Sequence, residues 1–165
     1  MSQKNKQNEL VQLQAFELAQ RIRLREVSCR EVMQAHLEQI ERYNPAVNAI
    51  VSQQPDDLLL AEADQRDAEL ARGQYRGWMH GLPHAVKDLS LTQGIRTTLG
   101  SPLFRDYLPE RDGIMVERIK AAGAIIIGKT NTPEFGLGSH SYNPIFGATG
   151  CAYAPERTAG GSSGG

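Results

Sequence analysis

Cysteine is nearly absent: Cys29 and Cys151 are the only two in 165 residues, and neither sits in a C-x-x-C or Cys/His spacing. That arithmetic points away from a disulfide framework and from a zinc site, and the pair reads as two reduced thiols. Excess charge is missing too, since 18 Lys+Arg stand against 19 Asp+Glu for a net charge of -1, with no run of one sign outside short helical stretches. Nothing electrostatic therefore points to nucleic acid or to an anionic membrane. No apolar run is long enough to cross a bilayer, and the polar start MSQKNKQNEL has no signal-peptide core. Internal repeats are lacking as well. The expectation is a soluble, cytoplasmic chain with no membrane contact, no metal and no cofactor.

What is there suits one ordinary domain. Leu10, Val11, Leu13, Phe16, Leu18, Ala19 and Ile22 recur at helical spacing and predict one amphipathic helix over 8–25. Ser28 and Glu31 form an S-x-x-E capping box ahead of a second apolar stripe, Val32, Met33, Ala35, Leu37 and Ile40. That helix is expected to stop before Pro45. AVNAIV, residues 46–51, reads as a short strand or connector, and Pro55 opens a third helix that closes at Gly73. From Gly77 onward glycine and proline punctuate short apolar runs: LPHAVKDLSL, a helix in GIMVERIKAAG, a strand in AIIIG and a helix start at TPEFGLG. The fold class is α/β, mainly helical over 1–76 and α/β over 77–165, with at least one parallel crossover.

One motif misleads. Residues 123–130, GAIIIGKT, satisfy the phosphate-loop pattern G-x-x-x-x-G-K-[ST]. A phosphate loop needs a turn at its variable positions and a helix opening at the Lys. Here Ala124, Ile125, Ile126 and Ile127 read as a buried strand, and the next helix is expected only after Thr132 and Pro133. Nucleotide binding is rejected.

Two polar features stand out. Lys87 lies among Leu82, Ala85, Val86, Leu89 and Leu91. Held out of water, a lysine loses its preference for the ammonium form and becomes a general base. The segment alone favours a lysine that snorkels to solvent or pairs with Asp88. The second feature is the last stretch, GGSSGG, residues 160–165, which alone reads as a flexible linker. The run leading into it, SHSYNPIFGATGCAYAPERTAGG, is a long loop without low complexity, and such loops in compact domains are usually functional.

Taken in order, HGLPHAVKDLSLTQGIRTTLGS, VERIKAAGAIIIGKTNTPEFGLGS, NPIFGATG and GGSSGG resemble the N-terminal part of the amidase signature family of serine hydrolases. The likeness covers roughly residues 10–165 and is strong from Gly81 onward. It implies a mixed sheet covered by helices, incomplete in this chain, and residues 1–165 as the N-terminal portion of one such domain. It also implies a Ser–cis-Ser–Lys triad, a variant of nucleophile, base and orienter logic. The family's lysine matches Lys87 and its bridging serine matches Ser162, after a cis Gly161–Ser162 bond. Gly160, Gly161, Ser163 and Gly164 would form the supporting loop, with Ser163 hydrogen bonding near Lys87. The nucleophile and oxyanion hole are expected beyond Gly165, so the chain alone is expected to be inactive. Many members have proline where Ala159 stands, a departure read as altering loop stiffness rather than chemistry.

The activity implied is hydrolysis of a small-molecule carboxamide through a serine acyl-enzyme, with a homodimer as an open option. The wording KTNTPEFGLGSHSYNPIFG looks closer to stand-alone bacterial amidases. Two alternatives remain: an amidotransferase component that acts on misacylated tRNA, and a noncatalytic natural fragment whose exposed strand edge would associate. His36, His80, His84 and His140 show no ligand spacing, and Trp78 reads as a packing residue. Tyr142, Asn143 and Phe146 fit a substrate cleft or ordinary loop packing equally well.

Overall fold

A computed structural model of the chain describes residues 9–162 and residue 164. Its helices are α1 (Ala15–Arg23), α2 (Cys29–Val47), α3 (Asp56–Ala71) and α4 (Ile114–Ala121). The helix expected over 8–25 is interrupted, because the chain turns at 11–13 and restarts at Gln14, whose backbone N–H donates to Glu17 Oε2 at 2.9 Å. That restart turns Phe16 to solvent while Leu10, Leu18 and Ile22 stay buried.

Ser28 caps α2 as its spacing predicts. Its N–H donates to Glu31 Oε2 at 2.9 Å, and the Glu31 N–H donates to Ser28 Oγ at 3.0 Å. The expected stop before Pro45 is overturned, since α2 runs through Pro45 to Val47. Asn44 secures this end: its Oδ1 accepts from the N–H groups of Ala49 and Ile50 at 2.9 and 2.8 Å, and Asn48 closes the helix at φ 54. A proline in a last turn costs only one backbone bond, and Asn44 separately holds the chain that leaves the helix. Pro55 leads into α3 as expected, and Gly73 lies just past its end at φ 78.

The strands β1 (Ile50–Gln53), β2 (Pro83–Lys87) and β3 (Ile125–Thr130) form a sheet in the order β1-β3-β2. β1 runs antiparallel to β3, with Gln53 opposite Gly128. Along β2 and β3 the Ile125 N–H donates to the Leu82 carbonyl and the Asp88 N–H to the Thr130 carbonyl, each at 3.0 Å. Both strands climb together, which is the parallel crossover read from the sequence. Beyond them lie two small antiparallel pairs, β4 (Tyr142–Asn143) with β5 (Gly147–Ala148), and β6 (Gly150–Cys151) with β7 (Ala154–Thr158). The helix expected at TPEFGLG is only a 3-10 turn over Glu134–Gly136, because Phe135 takes a left-handed φ of 52 and breaks propagation.

The chain divides into two compact units interleaved in sequence. One takes the described residues up to 41, then 54–84 and 118–127; the other takes 42–53, 85–117 and everything described from 128 onward. In the first, Ile22, Val32, Met33, Leu59, Ala63, Ile125 and Ile126 are buried, each larger aliphatic side chain contributing about 1.5–3 kcal/mol. His80 is buried there as well, its Nε2 on the Arg66 carbonyl at 2.9 Å and its Nδ1 accepting from the Arg76 N–H at 3.2 Å. Trp78 is 63% exposed, contrary to the packing role expected, since its neighbours Met79 and His80 take the interior. Among the described residues no helix is long and apolar enough to cross a membrane.

The buried Glu69 accepts from Arg76 Nε at 2.7 Å and from Arg76 Nη2 at 2.5 Å. These bonds hold its carboxyl below the usual range despite burial. A depressed acid stabilises the fold above its unfolded pKa and loses that contribution as pH falls through the folded value. In the full-length protein, Glu69→Gln should lower stability at pH 7 by about 1–3 kcal/mol. It should also flatten the fall in urea midpoint below about pH 4.5. Urea titrations of both proteins across pH 3–7 check this.

Candidate active site

β2 delivers Lys87 at its C-terminal end. There Nζ donates to Ser162 Oγ at 3.0 Å, joining residues 75 apart in sequence. Both side chains are half-buried. The alternative pairing of Lys87 with Asp88 does not form, because alternation along an extended chain turns Asp88 the other way. Asp88 is fully buried and accepts from the Thr98 N–H at 3.0 Å and from Thr98 Oγ1 at 2.5 Å. Burial raises its pKa, opposed by the Thr98 hydrogen bonds and by the charge of Lys129.

Lys129, the lysine of the phosphate-loop lookalike, is fully buried on β3. Its Nζ donates to the Ser90 carbonyl and, at 2.8 Å, to Thr92 Oγ1. The two glycines of that motif are packing residues. A Cβ on Gly123 would lie 2.7 Å from His80 Cα, and one on Gly128 would meet the Ser52 carbonyl. The motif's isoleucines thus lie in a strand with an interior lysine and not in a turn.

The glycine-rich loop is placed unevenly. Gly160 and Gly161 are exposed, with nothing within 4 Å of a Cβ position. Gly164 is buried at φ +64 directly against the Asn131 carbonyl, with Asn131 C only 2.7 Å from where a Cβ would stand. Ser163, expected to support the loop near Lys87, lies outside the described residues. The cis bond implied at Gly161–Ser162 is a further difference, for no peptide bond among the described residues is cis. A non-proline bond stays trans unless its surroundings enforce the rarer isomer. Ser162 Oγ meets Lys87 all the same.

Sequence reasoning missed the polar framework behind this loop. Asn143, which looked equally like cleft lining, is buried and accepts on Oδ1 from the N–H groups of Ile145 and Phe146, both at 2.9 Å. Its Nδ2 donates to Asn131 Oδ1 at 2.7 Å, and Asn131 Nδ2 reaches Thr149 Oγ1 at 3.0 Å. Ser141 Oγ donates to the Gly161 carbonyl at 2.9 Å. The one available signal was the density of Ser, Asn and Thr around Pro144 and Gly147, residues that bond backbone locally. Tyr142 is exposed, and Phe146 lies beneath Arg96, whose Cζ is 5.2 Å from the ring centroid. A cavity of about 330 Å³ opens among Pro133, Glu134, Phe135, Leu137, Tyr142 and Asn143.

A lysine donating to a serine hydroxyl on a glycine-rich loop is an arrangement for moving a proton along hydroxyls. The family model described as Amidase matches residues 31–165. The chain belongs to the Amidase family. Among curated relatives of this amidase-family chain is a glutamyl-tRNA(Gln) amidotransferase subunit from Acidothermus cellulolyticus, 42% identical over 96% of the chain and 31% of the relative. The corresponding protein of the same name from Cutibacterium acnes is also 42% identical, with the same coverage. The chain thus spans about a third of the length of these relatives. The solved 6-aminohexanoate cyclic dimer hydrolase superposes with a TM-score of 0.80 at 28% identity, covering 92% of this chain and 30% of that one. Fatty acid amide hydrolase superposes at 0.88 with 24% identity over 96% and 28%, a likeness of fold.

The loop geometry separates its glycines. Gly164→Ala should destabilise the full-length protein by about 1–3 kcal/mol through its left-handed φ and the carbonyl contact. Gly160→Ala should cost under about 0.5 kcal/mol. Parallel urea titrations read the difference, and equal effects would contradict the placement.

Proposed function

We propose that residues 1–165 form part of a single amidase domain and supply the base and the bridging hydroxyl of a serine hydrolase that cleaves carboxamide C–N bonds. The observation that carries this reading is the 3.0 Å contact from Lys87 Nζ to Ser162 Oγ. In the neutral form Lys87 accepts the Ser162 proton, and Ser162 accepts the proton of a nucleophilic serine contributed by the rest of the full-length protein. The resulting alkoxide attacks the carboxamide carbonyl, the proton held by Lys87 returns through Ser162 to the nitrogen so that amine or ammonia leaves, and water deprotonated by the same relay releases the carboxylate. Gly160, Gly161 and Gly164 shape the loop that presents Ser162, and Ser163 is assigned to the same loop from the family pattern. The substrate is a small-molecule amide, and the protein works in the cytoplasm.

The curated relatives favour a second reading. The glutamyl-tRNA(Gln) amidotransferase relatives, at 42% identity, suggest that the same acyl chemistry releases ammonia for transfer to a tRNA-borne acceptor. The two readings share every residue named above and differ in what receives the ammonia.

In the full-length protein, Lys87→Ala and Ser162→Ala should each lower amide turnover by at least about 10³-fold with folding intact. Ammonia release from a panel of primary carboxamides measures it. Near-normal turnover in both variants would sink the role assignment. Ammonia release that occurs only with glutamine, a copurifying partner protein and misacylated tRNA would favour the second reading.

A further inference from the structure

Ser162 has two tasks in the proposed mechanism, giving its proton to Lys87 while accepting one from a second hydroxyl, and a single hydroxyl has one proton and two lone pairs to share. Its direction is set by the peptide before it, and Gly160 and Gly161 are exposed with nothing within 4 Å of a Cβ position. What holds that peptide is Ser141. This side chain is fully buried and donates from Oγ to the Gly161 carbonyl at 2.9 Å. The same residue accepts on its backbone carbonyl from the Thr149 N–H at 2.9 Å, and the Thr149 carbonyl in turn accepts from the Ala159 N–H at 2.8 Å. Two bonds thus grip the stretch 159–161, one at each end.

The grip is anchored. Ser141 and Thr149 flank the β4–β5 hairpin, where Tyr142 pairs with Ala148 and Asn143 with Gly147. Asn48 Nδ2 donates to the carbonyls of Phe146 and Ala148 at 2.7 and 3.1 Å, and Thr149 Oγ1 donates to the Asn48 carbonyl at 2.8 Å. Asn131 ties the same hairpin to β3 through Gly147 and Thr149. Buried, mutually satisfied polar networks of this kind are rigid. A rigid hairpin that reaches a glycine-rich loop through one hydroxyl is a device for fixing that loop's direction.

From this geometry we infer that Ser141 is a positioning residue for the reaction: its hydroxyl, through the Gly161 carbonyl, aims Ser162 between Lys87 and the nucleophile. This rests on the amidase reading above. Ser141 does not touch the reacting atoms, so its loss misplaces the proton path without removing it. A displacement on the order of 1 Å at a catalytic group costs about 10²-fold.

The test uses the full-length protein and a primary carboxamide that it turns over, with Ser141→Ala, Ser141→Thr, Lys87→Ala and Ser162→Ala assayed together. The expected result is a kcat for Ser141→Ala that falls about 10–100-fold while KM stays within about twofold and the thermal midpoint within a few degrees. Ser141→Thr keeps the hydroxyl and should recover most of that kcat. If Ser162→Ala is dead while Ser141→Ala turns over normally, the inference is wrong and the amidase reading stands. If Lys87→Ala and Ser162→Ala are both active, the amidase reading itself has failed. A Ser141→Ala protein that has lost its fold shifts the decision to Ser141→Thr: near-native kcat upholds the hydroxyl's role, and a well-folded but inactive Ser141→Thr overturns it.

Discussion

The contact between Lys87 Nζ and Ser162 Oγ is the point on which the other features converge. A lysine at a strand end and a serine in a glycine-rich loop do not meet by local preference, since 75 residues separate them. Bringing them together needs a fixed strand on one side and a fixed loop on the other. β2 supplies the first through its parallel pairing with β3. The polar hairpin supplies the second.

Fixing the strand end uses buried charge, which is costly unless every group finds a partner. Asp88, immediately after Lys87, hands its carboxylate to Thr98, and Lys129 on the neighbouring strand donates to the Ser90 carbonyl and to Thr92. These bonds pin the chain that leaves β2 on its far side. Alternation then leaves Lys87 alone facing the loop. An aspartate beside a lysine looks like an ion pair in the sequence, yet here the two neighbours are sent in opposite directions, one for structure and one for chemistry.

Much of this was legible beforehand. Periodicity and capping residues predicted α2, α3 and α4 and the strands around Lys87 and the isoleucine run, because those signals are local. The helix runs past the expected stop at Pro45 because a proline in the last turn removes a single bond and Asn44 holds the chain just beyond, and the helix at TPEFGLG fails because Phe135 adopts a conformation that no propensity announces. At the site, Lys87 stood out as a charged residue in an apolar run, whereas Ser162 was legible only through the order of four motifs. Ser141, Asn131, Asn143 and Thr149 were not, since their roles depend on partners up to 101 residues away. The bond preceding Ser162 also differs from the family pattern, being trans where the cis form was implied.

The central claim is that Lys87, acting through Ser162, activates a serine nucleophile. Labelling the full-length protein with a serine-reactive sulfonyl fluoride and following the adduct by intact mass tests it most directly. The account predicts one covalent adduct in the wild type, with labelling slowed by at least about 10²-fold in Lys87→Ala and in Ser162→Ala. Equal labelling rates in all three proteins would contradict it.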